Sequence, residues 1–318
     1  MSTTTKSPRK VLVVALRVAQ RRLPAYRHRF SPQKFTQHQL FACLVLKTFM
    51  QTDYRGITAH LEDCPDLRRA IGLSHVPHYT TLHKAFRNLL RLDIAQRLLE
   101  GTVRLVHKRK PIDLVAVDST GLEAGHVSKY FVRRKHPRKP GEYEQTHYRR
   151  WPKLSISTDC DRHQILSVIT TRGPSPDVNM FKDVVTPAVR KYRIGHLLAD
   201  AGYDSEANHR FARERYHVRT TIPAKRGRSI AVPLRGKYRR QMQVRFPKKR
   251  YGQRWQVETV FSMIKRNFGE AVYARSYWSQ CREMMLMVLT HNIAVVLLVK
   301  ELFYRAYLTP LFPQAPPP

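Results

Sequence analysis

The sequence predicts a mixed α/β domain preceded by an all-helical N-terminal domain. Residues 36–108 carry dense apolar positions at helical spacing. After Pro111 the pattern changes to short apolar runs rich in β-branched residues, first as a meander and then alternating with helical stretches. Strands in that order predict a mixed sheet flanked by helices.

The strands and helices of the α/β part follow from their local patterns. The runs IDLVAVD (112–118) and GHLLAD (195–200) are almost wholly apolar, which is typical of strands buried on both faces. KLSIST and QILSVITT, joined by the short linker DCDRH, predict a β-hairpin, and HVRTTIP a further strand. Helices are expected over 178–192 and from Asp204 to Arg215, and we expect the acidic residues at their starts to cap them. These residues are Asp177, Asp204 and Glu206.

Four regions are predicted along the chain. They are a basic N-terminal segment (1–35), a helical domain (36–108), an α/β domain (109–305) with a basic connector (224–250), and a Pro-rich tail (306–318). Within the helical domain, the piece from Asp53 to Leu90 is compatible with a helix-turn-helix-like DNA-binding unit. It is equally compatible with a plain dimerisation or support domain, and the sequence does not separate the two.

The charge balance indicates a polyanionic partner. The 318 residues include 58 Lys and Arg against 23 Asp and Glu, a net charge of +35, while 42% of residues are hydrophobic. That apolar content is enough to build a core, so the chain is not a disordered basic tail. Such a charge costs self-repulsion in a folded chain, and binding to nucleic acid would relieve it.

Cysteine usage and the apolar segments indicate a cytoplasmic protein that does not enter a membrane. The four cysteines lie far apart without metal-ligand spacing, which argues for a reducing compartment. The N-terminal apolar run is interrupted by Arg17 and lacks a small-residue cleavage site, so it is not a signal peptide. The most apolar segment, 284–303, has His291 and Asn292 in its middle, which favours a buried core helix over a membrane span.

Three carboxylates are candidates for metal binding. Asp118 and Asp200 each terminate an apolar strand, where side chains project into a crevice from a rigid backbone. Glu258 lies on a predicted helix, and no other acidic residue occurs between it and Glu214. Three hard oxygen donors from three elements suit one or two Mg²⁺ ions.

The helix that carries Glu258 also carries groups suited to DNA. At about 100° per residue, Tyr251, Arg254, Glu258 and Lys265 lie within about 60° of one another on one helix face. Lys265 is roughly 10 Å beyond Glu258 along the axis, which suits contact with a phosphate further along a DNA strand. A solvated face would mix the two signs of charge more evenly.

The spacing Tyr-x₂-Arg-x₃-Glu-x₆-Lys resembles the YREK signature of insertion-sequence transposases of the DDE type, and VAVDST and LADAGYDS resemble the same family. The resemblance covers roughly residues 36–303. It implies an RNase H-like domain in which Asp118, Asp200 and Glu258 bind two Mg²⁺ or Mn²⁺ ions. It also implies that Tyr251, Arg254 and Lys265 handle DNA at the element end. Only 58 residues separate Asp200 from Glu258, so the chain resembles the compact branch without a large β insertion.

The same resemblance implies an activity and its partners. The enzyme would cut double-stranded DNA at the terminal inverted repeats of its own element and join the 3′-OH to target DNA. Two ions about 4 Å apart would flank the scissile phosphate in that chemistry. A homodimer is expected, because two element ends must be brought together. A structure-selective nuclease of the same fold and a retired transposase that only binds DNA remain alternatives.

A second candidate DNA-binding element is the run from Tyr130 to Trp151, where aromatic residues alternate with cations. This pattern suits phosphate contact combined with stacking on unpaired bases, and a solvated basic loop is the alternative. The candidate contact residues are Arg133, Arg134, Lys135, Arg149 and Arg150.

Overall fold

The chain folds into two units in a computed structural model that describes residues 5–30, 32–107, 110–125, 150–225 and 234–307. Unit 1 comprises residues 1–109 and 288–318, and unit 2 comprises residues 110–287. Residues 288–305, which the sequence analysis assigned to the α/β domain, therefore fall in unit 1.

Unit 1 is helical. Its helices are α1 (Pro8–Gln20), α2 (Gln37–Phe49), α3 (Tyr54–Asp63), α4 (Pro65–Ala70), α5 (Tyr79–Leu89), α6 (Leu92–His107) and the part of α12 (Tyr277–Tyr307) from residue 288 onward. The N-terminal basic segment thus contains a helix, and α1 buries apolar residues such as Val11 and Leu12 completely. Thr36 and Gln39 form a reciprocal capping box at the start of α2.

The apolar C-terminal helix belongs to the core, as the sequence predicts. The stretch Tyr277–Val299 is long and apolar enough to cross a membrane by composition, but 78% of its most apolar window is buried within the structure. Within unit 1, the buried Asn292 side chain donates a hydrogen bond to the Thr102 hydroxyl at 3.0 Å. This bond satisfies a polar group that would otherwise be costly to bury.

Unit 2 is built on a five-stranded mixed sheet. Its strands are β1 (Ile112–Gly121), β3 (Trp151–Asp159), β4 (Ile165–Gly173), β5 (Ile194–Ala199) and β6 (Arg219–Thr221). The spatial order is β4-β3-β1-β5-β6. The first three strands of this sheet, β1, β3 and β4, pair antiparallel as a meander, and β1, β5 and β6 pair parallel. This order and these directions are those of an RNase H-like fold, and they confirm the predicted hairpin.

The central strand of the sheet, β1, is buried on both faces because helices cover the sheet. Val115, Ala116 and Val117 are all fully buried, and consecutive residues of a strand point to opposite faces. The helices of unit 2 are α7 (Asp177–Lys191), α8 (Glu206–Arg210, continued as a π-turn over Phe211–Arg215), α9 (Lys237–Val244), α10 (Lys248–Tyr251), α11 (Trp255–Phe268) and the first part of α12. Of these, α7 and α11 both contact β1 and β3.

The predicted continuous helix from Tyr251 is wrong in one respect. A 3₁₀ turn, Gly252–Arg254, separates α10 from α11. Gly252 is a poor helix former at this point, and the tighter turn rotates Tyr251 relative to the face of α11. Two short strands, β2 (Glu123–Ala124) and β7 (Ala271–Val272), pair in parallel just beyond the ends of β1 and α11.

Candidate active site

Asp118 and Asp200 lie side by side at the sheet. In the parallel pair β1–β5, Val117 is directly opposite Ala199, so the next residue on each strand is one of the two aspartates. Asp118 is still within β1, opposite Ile156 of β3, whereas Asp200 immediately follows β5. The two strands therefore bring both carboxylates together, but the prediction that Asp118 ends its strand was wrong, because β1 continues to Gly121.

Asp118 is held in a largely buried position. Its side chain is 17% exposed, and one carboxylate oxygen accepts a hydrogen bond from the Ser119 backbone N–H at 2.8 Å. Burial raises the pKa of Asp118 to about 6, against the lowering effects of the Ser119 N–H and of Arg254; Asp200 nearby adds to the rise. The charged form of Asp118 therefore depends on a nearby cation to balance it.

Arg254 joins Asp118 to Glu258. One guanidinium nitrogen lies 2.9 Å from Asp118 Oδ2, and another is in close contact with Glu258 Oε1. The Glu258 side chain is 56% exposed, while that of Arg254 is only 20% exposed. These contacts bring the start of α11 next to Asp118 of β1 and place a positive charge between the two carboxylates.

Tyr251 and Lys265 extend this region in opposite directions. Burial raises the pKa of the Tyr251 hydroxyl above its ordinary value, and the positive charge of Arg254 offsets part of that rise. The Tyr251 ring also contacts Phe246 edge-on, with centroids 4.9 Å apart. Lys265 lies about two turns beyond Glu258 on α11 and is partly exposed.

The carboxylates suit a hard divalent ion chemically, but not in their present arrangement. Within the described ranges, no group of three or more His, Cys, Asp or Glu side chains is close enough to hold a metal ion. Arg254 already occupies the space between Asp118 and Glu258 as a cation. The Glu258 side chain is 56% exposed, so exchanging Arg254 for another cation would not require a buried carboxylate to move.

Asp204 and Glu206 have partners that the sequence analysis did not foresee. The Asp204 side chain is fully buried and is paired with Arg239, with nitrogen–oxygen distances of 2.7 and 3.0 Å. Glu206 accepts hydrogen bonds from the backbone N–H groups of Tyr238 and Arg239. Both residues were expected to cap their own helix, and this was wrong: they hold the start of α9 instead.

The basic connector is therefore fixed to the α/β unit where it is described. Exposed cations follow along α9 and α10, and several of them have no ion pair among the described residues: Lys237, Arg245, Lys248 and Lys249. Arg250 differs, because it donates a hydrogen bond to His196 at 3.0 Å.

The second candidate DNA-binding element falls mostly outside the described residues. Arg133, Arg134, Lys135 and Arg149 all lie in the stretch 126–149, of which nothing structural is described. Arg150 is described and is exposed, immediately before β3.

A buried lysine near Asp118 was also missed by sequence reasoning. Lys153 Nζ lies 2.7 Å from Asp177 Oδ1, and the same oxygen accepts a hydrogen bond from Ser119 Oγ at 2.5 Å. Asp177 begins α7 as expected, but its side chain connects β3 to the end of β1. No local pattern signals this, because its partners are 24 and 58 residues away.

Comparison with known proteins identifies a family. The family model described as a transposase DDE domain matches residues 109–293, more than half of the chain. Among solved structures, the chain is similar to one described as a cryo-EM structure of piggyBac transposase synaptic complex with hairpin DNA. The identity is 11%, the match covers 92% of this chain and 72% of that chain, and the TM-score is 0.46, which is too distant to bear on function. No curated protein matches. On the family match alone, the chain belongs to the family of proteins with a transposase DDE domain.

Proposed function

We propose that the protein is a DNA transposase that cuts DNA at the ends of its own insertion sequence and joins the freed 3′-OH to target DNA. The observation that supports the proposal is that three carboxylates from separate elements lie in one region, at the end of the β1–β5 pair and the start of α11. Asp118 and Asp200 follow paired positions of two parallel strands, and Glu258 is joined to Asp118 through Arg254.

Asp118, Asp200 and Glu258 would hold Mg²⁺ or Mn²⁺. Such ions activate water, and then a 3′-hydroxyl, for attack on a phosphodiester and stabilise the leaving oxygen. The protein's own contribution is rigidity and charge. Burial fixes Asp118 against β3, and the exposed Glu258 side chain is available to exchange its partner.

Arg254 would exchange its carboxylate partners for a DNA phosphate. Its guanidinium keeps its charge at all working pH values and presents paired N–H donors that match phosphate geometry. Tyr251 and Lys265 flank it and would contact the same element end. The spacing of these residues is that of the YREK group, and it supports a place for the chain in that group.

The exposed cations of α9 and α10 would bind the DNA backbone without regard to sequence. They are fixed to the segment that follows Asp200 by the Asp204–Arg239 pair and by Glu206. Because this basic surface is held next to the candidate active site, it would position a bound DNA duplex relative to the three carboxylates. Arg150, and the residues 133–135 and 149, would extend this contact.

The protein would act in the cytoplasm on double-stranded DNA, and as a homodimer on paired element ends. The direct test is a Mg²⁺-dependent reaction with labelled DNA that carries the repeats flanking the gene, comparing wild type with Glu258→Gln. Cleavage at the repeat ends and joining to a second DNA are expected for wild type only. Cleavage without joining would indicate a nuclease rather than a transposase. Equal activity in both proteins would refute the assignment of Glu258.

A further inference from the structure

The side chain of Lys153 is an unusual feature behind the candidate active site. It is 9% exposed, although lysine is rarely buried without a partner. Its ammonium group lies 2.7 Å from Asp177 Oδ1 and donates to the Ser175 carbonyl oxygen at 2.6 Å. Two of its three N–H donors are therefore directed at the start of α7.

Asp177 is a fourth carboxylate close to the proposed metal ligands. It is linked to Asp118 through one residue, because Ser119 Oγ donates to Asp177 at 2.5 Å and the Ser119 N–H donates to Asp118 at 2.8 Å. Asp118 also feels the negative charge of Asp177 directly. A carboxylate in this position has the same chemistry as the three proposed ligands and would compete for the same cation.

Lys153 changes what Asp177 does. With the ammonium group beside it, the Asp177 charge is balanced within the protein, and its oxygen is used to hold the Ser119 hydroxyl. Ser119 in turn fixes the backbone N–H that orients Asp118. Without the ammonium group, Asp177 would be a partly buried anion that has lost its ion-pair partner, and a metal ion at the neighbouring site would balance its charge.

We propose that Lys153 is a positioning residue that keeps Asp177 out of the metal-binding set and, through Asp177 and Ser119, holds the Asp118 carboxylate in place. The inference rests on the proposed metal-dependent DNA cleavage and deepens it. It assigns Lys153 and Asp177 no contact with DNA.

The test combines three variants with two readouts. Lys153→Met keeps the length of the side chain but removes its charge. Lys153→Met/Asp177→Asn also removes the unbalanced carboxylate, while the amide oxygen still accepts from Ser119. Lys182→Met, an exposed lysine on α7, is the matched control. The readouts are kcat and KM for Mg²⁺-dependent cleavage, and Mn²⁺ binding to the DNA-free protein by calorimetry.

We expect Lys153→Met to lower kcat by about 10–100-fold, as for loss of other groups that orient metal ligands. Its KM for DNA should not change, and its Mn²⁺ affinity should rise severalfold, because one more negative charge is available to the ion. The double variant should recover most of the lost kcat, and Lys182→Met should match wild type. A general folding defect would lower Mn²⁺ affinity and kcat together, without recovery.

Wild-type kcat in Lys153→Met, weaker Mn²⁺ binding, or a double variant no better than the single one would each overturn the inference. If Lys153→Met does not fold, Ser119→Ala takes over the test. It removes only the hydroxyl link, so kcat should fall at unchanged thermal stability, and an unchanged kcat would refute the inference. If wild type cuts no DNA, the proposed function fails; if wild type and Lys153→Met cut equally, only this inference fails.

Discussion

Replacing Arg239 by methionine is expected to destabilise unit 2 by about 3 kcal/mol. Arg239 is the ion-pair partner of Asp204, whose side chain is fully buried, and it also donates to the Lys225 carbonyl oxygen at 2.9 Å. After the substitution, Asp204 would keep the Lys225 N–H at 2.7 Å as a partner. Removing one member of a buried ion pair costs about 3–5 kcal/mol, and we take the lower end because Arg239 is itself 21% exposed.

Urea denaturation followed by tryptophan fluorescence measures this loss in unit 2 specifically. All three tryptophans lie in that unit: Trp151, Trp255 and Trp278. Arg245→Met is the matched control, since Arg245 is exposed, and its free energy of unfolding should stay within about 0.5 kcal/mol of wild type. Adding Asp204→Asn to Arg239→Met should recover part of the loss, because the pair is then neutral. A loss below about 1 kcal/mol for Arg239→Met would show that the ion pair does not hold α9.

Three further predictions concern the same unit. Gly236→Ala should destabilise it by about 1–3 kcal/mol, because Gly236 has φ +103° and a Cβ there would clash with the Glu206 side chain. Gly252→Ala is the control in the same urea titration, because a Cβ at Gly252 meets nothing within 4 Å. Equal stabilities of the two variants would contradict the argument. Burial, and secondarily Arg213, lowers the pKa of His209 to about 4. Below pH 6.5 the unfolded chain binds a proton at His209 that the folded protein does not, so the free energy of unfolding falls as the pH falls toward 4. At pH 5 wild type should have lost up to about 2 kcal/mol that His209→Gln does not lose. Parallel pH profiles of the two proteins would refute this. Alanine at both lysines of 248–249 should weaken DNA binding and reduce the slope of log affinity against log salt by about 0.9 per lost phosphate contact, and an unchanged slope would exclude contact there.

The sequence was sufficient for the features that depend on local pattern. Continuous apolar runs located β1 and β5. Because these strands are buried and pair in parallel, the aspartates that end the two apolar runs, Asp118 and Asp200, lie next to each other. The position of Glu258 followed from helical spacing in α11. The family match is consistent with the resemblance seen in these motifs.

The missing features all depend on contacts between residues distant in the chain. Arg254 was expected to contact DNA, and its bond to Asp118 joins residues 136 positions apart. Asp204 was expected to cap a helix, yet its partner lies 35 positions away. A carboxylate before a helix has the same local pattern in either case, so only the fold of the connector decides between them. The 3₁₀ turn at Gly252 similarly depends on how α10 and α11 pack, and helical periodicity in the sequence does not reveal that packing.

The central claim is that Asp118, Asp200 and Glu258 hold the divalent ion that drives DNA cleavage. Its most direct test is Asp118→Cys, assayed for cleavage of terminal-repeat DNA in Mg²⁺ and then in Mn²⁺, since a thiolate binds the softer ion better. The account predicts no cleavage in Mg²⁺ and a measurable return in Mn²⁺, with DNA affinity unchanged throughout. Wild-type cleavage by Asp118→Cys in Mg²⁺ would contradict it.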